Sequence, residues 1–217
     1  ISNTANGTFW AFGRGGGLYL QWSDATLTNN VIADNRADNK GSGLYIVNSS
    51  THLLHTTIAR NSGDGSGLYV YGVDDEEMPY STVTLTNTIL VSHSVGISVT
   101  GGNTITVNSI LWHNTPITVS QSATATVTVQ NQYQGDPAFA ADGYHLTASS
   151  AAIDQGVDAD VTVDIDSESR LAGTCPDLGA DEFPAALGVT KEAHPDPVQA
   201  GEQLTYTTVS YTHLTLP

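Results

Sequence analysis

Three Gly-Leu-Tyr triplets, each opening a short apolar run, and a fourth run in the same phase constrain this chain more than any other feature. They start at Gly17 (G-L-Y-L), Gly43 (G-L-Y-I), Gly67 (G-L-Y-V) and Gly96 (G-I-S-V), spaced 26, 24 and 29 residues apart. A second register repeats between them: T-L-T-N-N-V-I-A-D-N from Thr26, H-L-L-H-T-T-I-A-R-N from His52, T-L-T-N-T-I-L-V-S-H from Thr84 and I-T-V-N-S-I-L-W-H-N from Ile105. Self-similarity at such a period means stacked structural units, none of which can bury its apolar face alone.

Within each unit Val, Ile, Leu, Thr and Tyr alternate over a few residues until Asn, Asp, Gly or Ser interrupts, a strand followed by a corner. No window sustains a helical period, so the expected class is all-β. Two or three short strands per unit of about 21 to 30 residues, stacked at strand spacing, make one coil of a parallel β-helix. We expect roughly five or six coils, right-handed by the usual crossover rule.

Aligning the units predicts columns. Ile32, Ile58, Leu90 and Leu111 fall in one inward column. Asn29, His55, Asn87 and Asn108 form a corner ladder, because Asn tolerates left-handed backbone and stacked amides hydrogen-bond from coil to coil; His55 stands in as a corner substitute. Asp34, Arg60, Ser92 and His113 share an outward column, with Asp34 and Arg60 as a surface ion pair. If Leu18, Leu44 and Leu68 point inward, Tyr19, Tyr45 and Tyr69 point outward. An exposed tyrosine ladder can stack sugar rings, whereas a covered one packs as an edge of the core.

Composition narrows the function. The chain carries 22 acidic and six basic residues, a net charge of −16. Nucleic acid is excluded as a partner, since its binders need clustered Lys and Arg. No stretch reaches the roughly 20 apolar residues of a membrane-spanning helix. A single cysteine, Cys175, excludes an internal disulfide framework and reads as structural. The insertion around Asp74-Asp75-Glu76-Glu77 reads as a solvated acidic loop. His52, His55, His93, His113 and His145 lack zinc spacing on a common strand face. Trp10, Trp22 and Trp112 read as cap or core.

From Gln132 the periodicity fades. Four motifs follow in order: D-P-A-F from Asp136, S-A-A-I-D-Q-G from Ser150, D-I-D-S-E-S-R from Asp164, and D-L-G-A-D-E from Asp177. With the coils before them they resemble the C-terminal module of bacterial surface β-helix proteins of the choice-of-anchor Q type, over about Gly13 to Phe183. Two positions depart from that pattern: Ser167 stands where relatives usually have Gly, and Asp181 where they usually have an aromatic residue. The stretch from Val189 is similar to the opening strands of an immunoglobulin-like surface repeat. Tyr211 to Pro217 resemble a spurious tail recurrent in assembled metagenomic sequences. The expected organisation is coils over 1–134, an irregular terminal coil or cap over 135–183, and over 184–217 a linker with a truncated immunoglobulin-like start, the chain being a piece of a longer protein.

Chemistry is sparse. Asp164, Asp166 and Glu168 alternate along an extended segment and can offer oxygen ligands to calcium, the one candidate cofactor. Against this, Arg170 can pair with Asp164 or Asp166 and pin the last coil. Polyuronate lyases need a cation beside calcium-holding carboxylates; the coils offer Arg36, Lys40 and Arg60 without a convergent carboxylate set. The leading expectation is a non-catalytic, monomeric, extracellular or surface-anchored scaffold, its partner an extracellular polysaccharide or host glycan met through the tyrosines. The alternative is a polysaccharide lyase or glycoside hydrolase whose active coils lie outside this sequence.

Overall fold

The computed structural model describes residues 2–7, 13–63, 65–72, 78–184, 188–194 and 205–211. The chain forms two compact units, Ile1–Phe183 and Pro184–Pro217. The early coils hold β1 (Thr4–Ala5), β2 (Leu18–Gln21), β3 (Ala25–Thr28), β4 (Val31–Ala33) and β5 (Arg36–Ala37). Then come β6 (Leu44–Val47), β7 (Ser50–Leu54), β8 (Thr57–Ala59), β9 (Ser62–Gly63) and β10 (Ser66–Tyr71). The later coils hold β11 (Thr82–Val91), β12 (Val95–Val99), β13 (Thr104–His113), β14 (Ile117–Gln121) and β15 (Thr126–Gln134). In the second unit, β16 (Gly188–His194) and β17 (Thr205–Tyr211) pair antiparallel.

Strands β2, β6, β10, β12 and β14 stack as one parallel sheet, and β3, β7, β11, β13 and β15 as a second. Round a corner, β4 pairs with β8 and β8 with the second half of β11. A short third sheet joins β1, β5 and β9. Each strand pairs with its equivalent one coil away, which makes the unit a parallel β-helix with five stacked strands per long sheet. The described residues contain no helix.

The inward columns fill the bore. Leu44, Ile46, Leu53, Ile58, Leu68, Leu85, Leu90, Ile97, Ile105 and Val107 belong to one continuous buried cluster. Three corner columns carry the left-handed backbone that lets a strand turn sharply: Trp22 and Asn48; Asn29, His55, Asn87, Ser109 and Asn131; and Asp34, Arg60, Ser92 and Asn114.

The register corrects the predicted columns in the fourth coil by one residue. Thr82 pairs with Thr104 and Leu90 with Trp112. Ser109, not Asn108, therefore stands beside Asn87 in the corner column, Trp112, not Leu111, beside Leu90, and Asn114, not His113, beside Ser92. Matching the letters Asn and Ile-Leu between coils gave an offset of 21, whereas the ladder uses 22. A one-residue slip moves side chains to the opposite face, and the burial of Trp112 inside the bore fixes the choice.

The glycine column explains itself on contact. A Cβ on Gly17 would lie 2.7 Å from Asn35 Nδ2, one on Gly43 3.0 Å from Asn61 Nδ2, and one on Gly67 3.2 Å from the His93 ring. Those three side chains form a buried ladder. Asn35 donates its backbone N–H (3.0 Å) and Nδ2 (2.9 Å) to Asn61 Oδ1, and Asn61 donates its backbone N–H to His93 Nε2 at 3.2 Å. Asn3 extends the ladder by donating its backbone N–H to Asn35 Oδ1 at 2.8 Å. Glycine is thus required because an amide or imidazole fills the space a side chain would take.

Residues 135–183 do not add a further coil. They run back along the flank as a clasp, with Leu146, Ala152 and Leu178 packed on outward-facing Ala33, Ala59, Ile89, Val91 and Leu111. Gly179, in left-handed backbone, donates its N–H to Asn87 O at 2.9 Å, where a Cβ would meet Ile89 Cδ1 at 2.6 Å. Ala180 donates to Thr57 Oγ1 at 3.0 Å.

Substituting Gly43 by Ala forces a Cβ to within 2.5 Å of Gly67 O. The expected loss is about 1–3 kcal/mol, the usual range for an overpacked core, read from urea unfolding. An unchanged midpoint would show that the ladder tolerates a methyl group and does not dictate glycine.

Candidate functional site

The tyrosine column forms, and it is covered. Tyr19 and Tyr45 stack with ring centroids 5.1 Å apart, Tyr45 and Tyr69 at 5.6 Å, with interplanar angles of 5° and 6°. Leu44 and Leu68 do point into the bore, so the tyrosines leave it. Yet Tyr45 is 1% exposed and Tyr69 7%, while Tyr19 keeps 42%. The Arg14 guanidinium lies 5.3 Å above the Tyr45 ring and the Lys40 ammonium 5.1 Å above that of Tyr69. Burial pushes the Tyr45 hydroxyl well above its ordinary pKa. Of the two arrangements the sequence allowed, the covered one forms at Tyr45 and Tyr69, a stacked, cation-covered ridge, and Tyr19 alone of the three keeps an open face for glycan contact.

The corner ladder serves the clasp. Asn29 Nδ2 donates to Val163 O at 2.7 Å, and its Oδ1 accepts from Arg170 Nη2 at 2.7 Å. Asn87 donates to Val157 O at 2.7 Å and accepts the Val157 N–H at 2.8 Å, while its Nδ2 meets His55 Nε2 at 2.9 Å. Asn131 Nδ2 donates to Asn108 Oδ1 at 3.0 Å. His55 is fully buried in this column, the position of a corner substitute.

The predicted ion pair between Asp34 and Arg60 is present and bidentate, at 2.9 and 2.7 Å. Arg60 also donates Nη1 to Gly143 O at 2.9 Å, so the pair holds the clasp. Arg170 is buried, but its ionic partner is Glu182 at 3.7 Å, in place of the predicted Asp164 or Asp166. Its guanidinium also donates to the carbonyls of Ala180 (2.6 Å) and Asp181 (3.1 Å). Burial pushes Glu182 above the usual carboxylate range, and the neighbouring Arg170 works against that shift.

The carboxylates of Asp164, Asp166 and Glu168, the candidate calcium ligands, do not converge into one ligand set among the described residues. Asp164 Oδ1 accepts the backbone N–H groups of Asp166 (2.9 Å) and Glu168 (2.8 Å), and Oδ2 that of Glu182 (3.1 Å). Glu168 is exposed and Asp166 turns to His145. The other clasp carboxylates behave like Asp164. Asp154 accepts from Thr174 and Cys175, Asp177 from Asp154 and Phe183, and Glu182 from Asp177. An irregular segment has no strand ladder for its N–H groups, and these carboxylates take that role.

One constellation escaped the sequence reading. His145 Nδ1 faces Asp142 Oδ2 at 2.5 Å, and Nε2 faces Asp166 Oδ2 at 2.5 Å with Asp181 Oδ1 at 4.0 Å. Among the described residues, His145, Asp166 and Asp181 are the group of metal-type ligands whose atoms lie within 4.8 Å of one another. The hydrogen bond to Asp142 holds the imidazole up to about 9. Partners 21 and 36 residues downstream leave no local spacing to read. The acidic loop 74–77 and Trp10 lie outside the described residues; Trp22 is exposed, Trp112 is core and Cys175 is half-buried.

His93 gives a pH test of the buried ladder. Burial lowers it from 6.5 to about 4, with the Arg60 charge adding to the effect. Its Nε2 must stay unprotonated to accept the Asn61 N–H. Unfolding restores an ordinary imidazole, so the unfolded chain binds the extra proton. The ladder's contribution is whole above about pH 6.5 and shrinks as pH falls towards 4, by up to about 1.4 kcal/mol per pH unit. Buried Asp177, held up to about 6 by desolvation, acts in the opposite direction. The measurement is therefore the difference in unfolding free energy between wild type and His93→Asn, which should change between pH 7 and pH 4. A constant difference would mean that His93 carries no such linkage.

Comparison with known proteins agrees with this geometry. Residues 2–132 match the family described as Right handed beta helix region, more than half of the chain. A search of curated proteins and of solved structures found no match. The chain belongs to the right-handed β-helix family.

Proposed function

We propose that this chain is a non-catalytic, monomeric scaffold of an extracellular or surface-anchored bacterial protein, with residues 135–183 acting as a choice-of-anchor Q type clasp and the second unit as the start of an immunoglobulin-like repeat. The observation that carries the reading is the reach of the clasp. Arg170 bonds to Asn29, 141 residues earlier, and Asn87, Thr57 and Arg60 receive it on the way. Coils of a solenoid otherwise hold only their neighbours. A strap bonded to several coils makes them unfold together, as a stalk under tension needs.

The disposition of cations supports a scaffold over a polyuronate lyase. Arg36 pairs with Asp38 at 3.1 Å, Arg60 with Asp34 and Arg170 with Glu182, while Arg14 and Lys40 lie over tyrosine rings. These engaged cations do not offer the free base that chemistry needs. Replacing Arg170 by Ala leaves Glu182 buried and unpaired, and the expected loss is about 3–5 kcal/mol in chemical unfolding. In single-molecule pulling, wild type should break in one event and Arg170→Ala in several smaller ones. Stepwise rupture of the wild type would remove the mechanical argument, and unsaturated sugar products released from polygalacturonate would replace the scaffold with an enzyme.

Glycan contact, on this reading, belongs to Tyr19, the open end of the ridge. Tyr19→Ala should weaken retention on a polysaccharide column at an unchanged melting temperature. Equal retention would separate the ridge from sugar binding.

A further inference from the structure

We propose that His145, Asp166 and Asp181 bind a divalent transition metal, zinc by preference, with Asp142 orienting the imidazole. Four observations meet here. His145 lies beside the Phe139–Leu146 bridge, Asp166 in the turn closed by the Val163–Ser169 bridge, and Asp181 in the last stretch of the clasp, so three separate segments converge. Their donor atoms lie within 4.8 Å of one another.

The imidazole is held for ligation through Nε2. Asp142 Oδ2 takes Nδ1, and Asp142 Oδ1 accepts the backbone N–H groups of Tyr144 (3.0 Å) and His145 (3.1 Å), which fixes the carboxylate. A carboxylate behind a ligating histidine sets its tautomer and raises its basicity. Asp181 is 5% exposed; its Oδ2 accepts the Leu146 N–H at 2.6 Å. Its Oδ1 has no hydrogen-bond donor among the described residues and lies 4.0 Å from Nε2. That separation is about twice the 2.0–2.1 Å of a zinc–ligand bond, the span of two donors on one ion. Asp166, with 48% of its side chain exposed, is able to retract from 2.5 Å to the roughly 3.3 Å that two ligands of one tetrahedral ion require.

The donor set chooses the metal. One imidazole nitrogen and two carboxylate oxygens suit zinc and its neighbours, whereas calcium takes six to eight oxygens. The ion replaces the proton between Nε2 and Asp166 and ties the three clasp segments together, with the fourth position left to water.

The test uses the whole chain after treatment with a chelator. Zinc at about a hundred times its dissociation constant should raise the melting temperature by about 5–10 °C. Cobalt should give the visible absorption of a four-coordinate site. Asp166→Asn, at an exposed position that folding does not require, should remove both signals, and His145→Gln should do the same. Asp142→Asn should weaken zinc about 10–100-fold. The proposal is overturned if zinc leaves wild-type melting unchanged, if Asp166→Asn and His145→Gln respond like wild type, or if calcium stabilises the protein and zinc does not.

Discussion

The ladder of Asn3, Asn35, Asn61 and His93 inside the coil corner, fitted against the glycine column, is the constraint on which the rest of this structure depends. A solenoid corner exposes backbone N–H groups to the interior, where water cannot reach them. Here each is met by the side chain of the next coil, Asn35 by Asn61 and Asn61 by His93. An amide in that position occupies the volume where the preceding Gly-Leu-Tyr strand would place its first Cβ. Polar satisfaction and close packing are therefore one requirement, and they set the repeat. Once Gly17, Gly43 and Gly67 are aligned, Leu18, Leu44 and Leu68 must enter the bore and Tyr19, Tyr45 and Tyr69 must leave it.

The outer surface follows a different logic. In β4, β8 and the second halves of β11 and β13, the residues that leave the bore are Ala33, Ala59, Ile89, Val91 and Leu111, all apolar and covered by the clasp. Strands buried on both faces read as continuous apolar runs. The clasp is held there by hydrophobic area along its length and by Arg170 at its far end. Arg170 is an expensive residue to bury, and six acceptors or charges receive it: Asn29, Ala180, Asp181 and Glu182 directly, with Asp164 and Asp177 adding to the surrounding field.

Much of this was legible in the sequence. The period, the parallel β-helix, the inward leucines, the corner asparagines and the Asp34–Arg60 pair follow from spacing alone. The internal ladder was also printed there, as the closing Asn35, Asn61 and His93 of the second register, but an Asn after Asp or Arg looks like one more exposed turn residue. The fourth coil slipped because its offset of 22 competes with an accidental letter match at 21, and only the size of Trp112 inside the bore decides between them. The runs V-I-A and T-I-L-V signalled a covered outer face, yet nothing in them names the cover. Contacts such as Arg170 with Asn29 or His145 with Asp181 join positions that no local pattern relates.

The placement of charge separates the two halves of the first unit. Among the described residues of the coils every buried polar group is neutral: amides, hydroxyls and two imidazoles kept unprotonated, His55 at about 3 and His93 at about 4. Charge would be intolerable there, since a stacked ladder repeats each group every 4.8 Å or so and would line up like charges. The clasp has no such repeat. Its irregular backbone turns N–H groups in many directions, and a carboxylate with two oxygens accepts several at once, as Asp164 does with three. The concentration of Asp and Glu after Gln132 is thus a consequence of giving up the ladder. Against that background Asp181 differs, because one of its oxygens is used by the backbone and the other lies 4.0 Å from His145 Nε2 without a hydrogen bond to it.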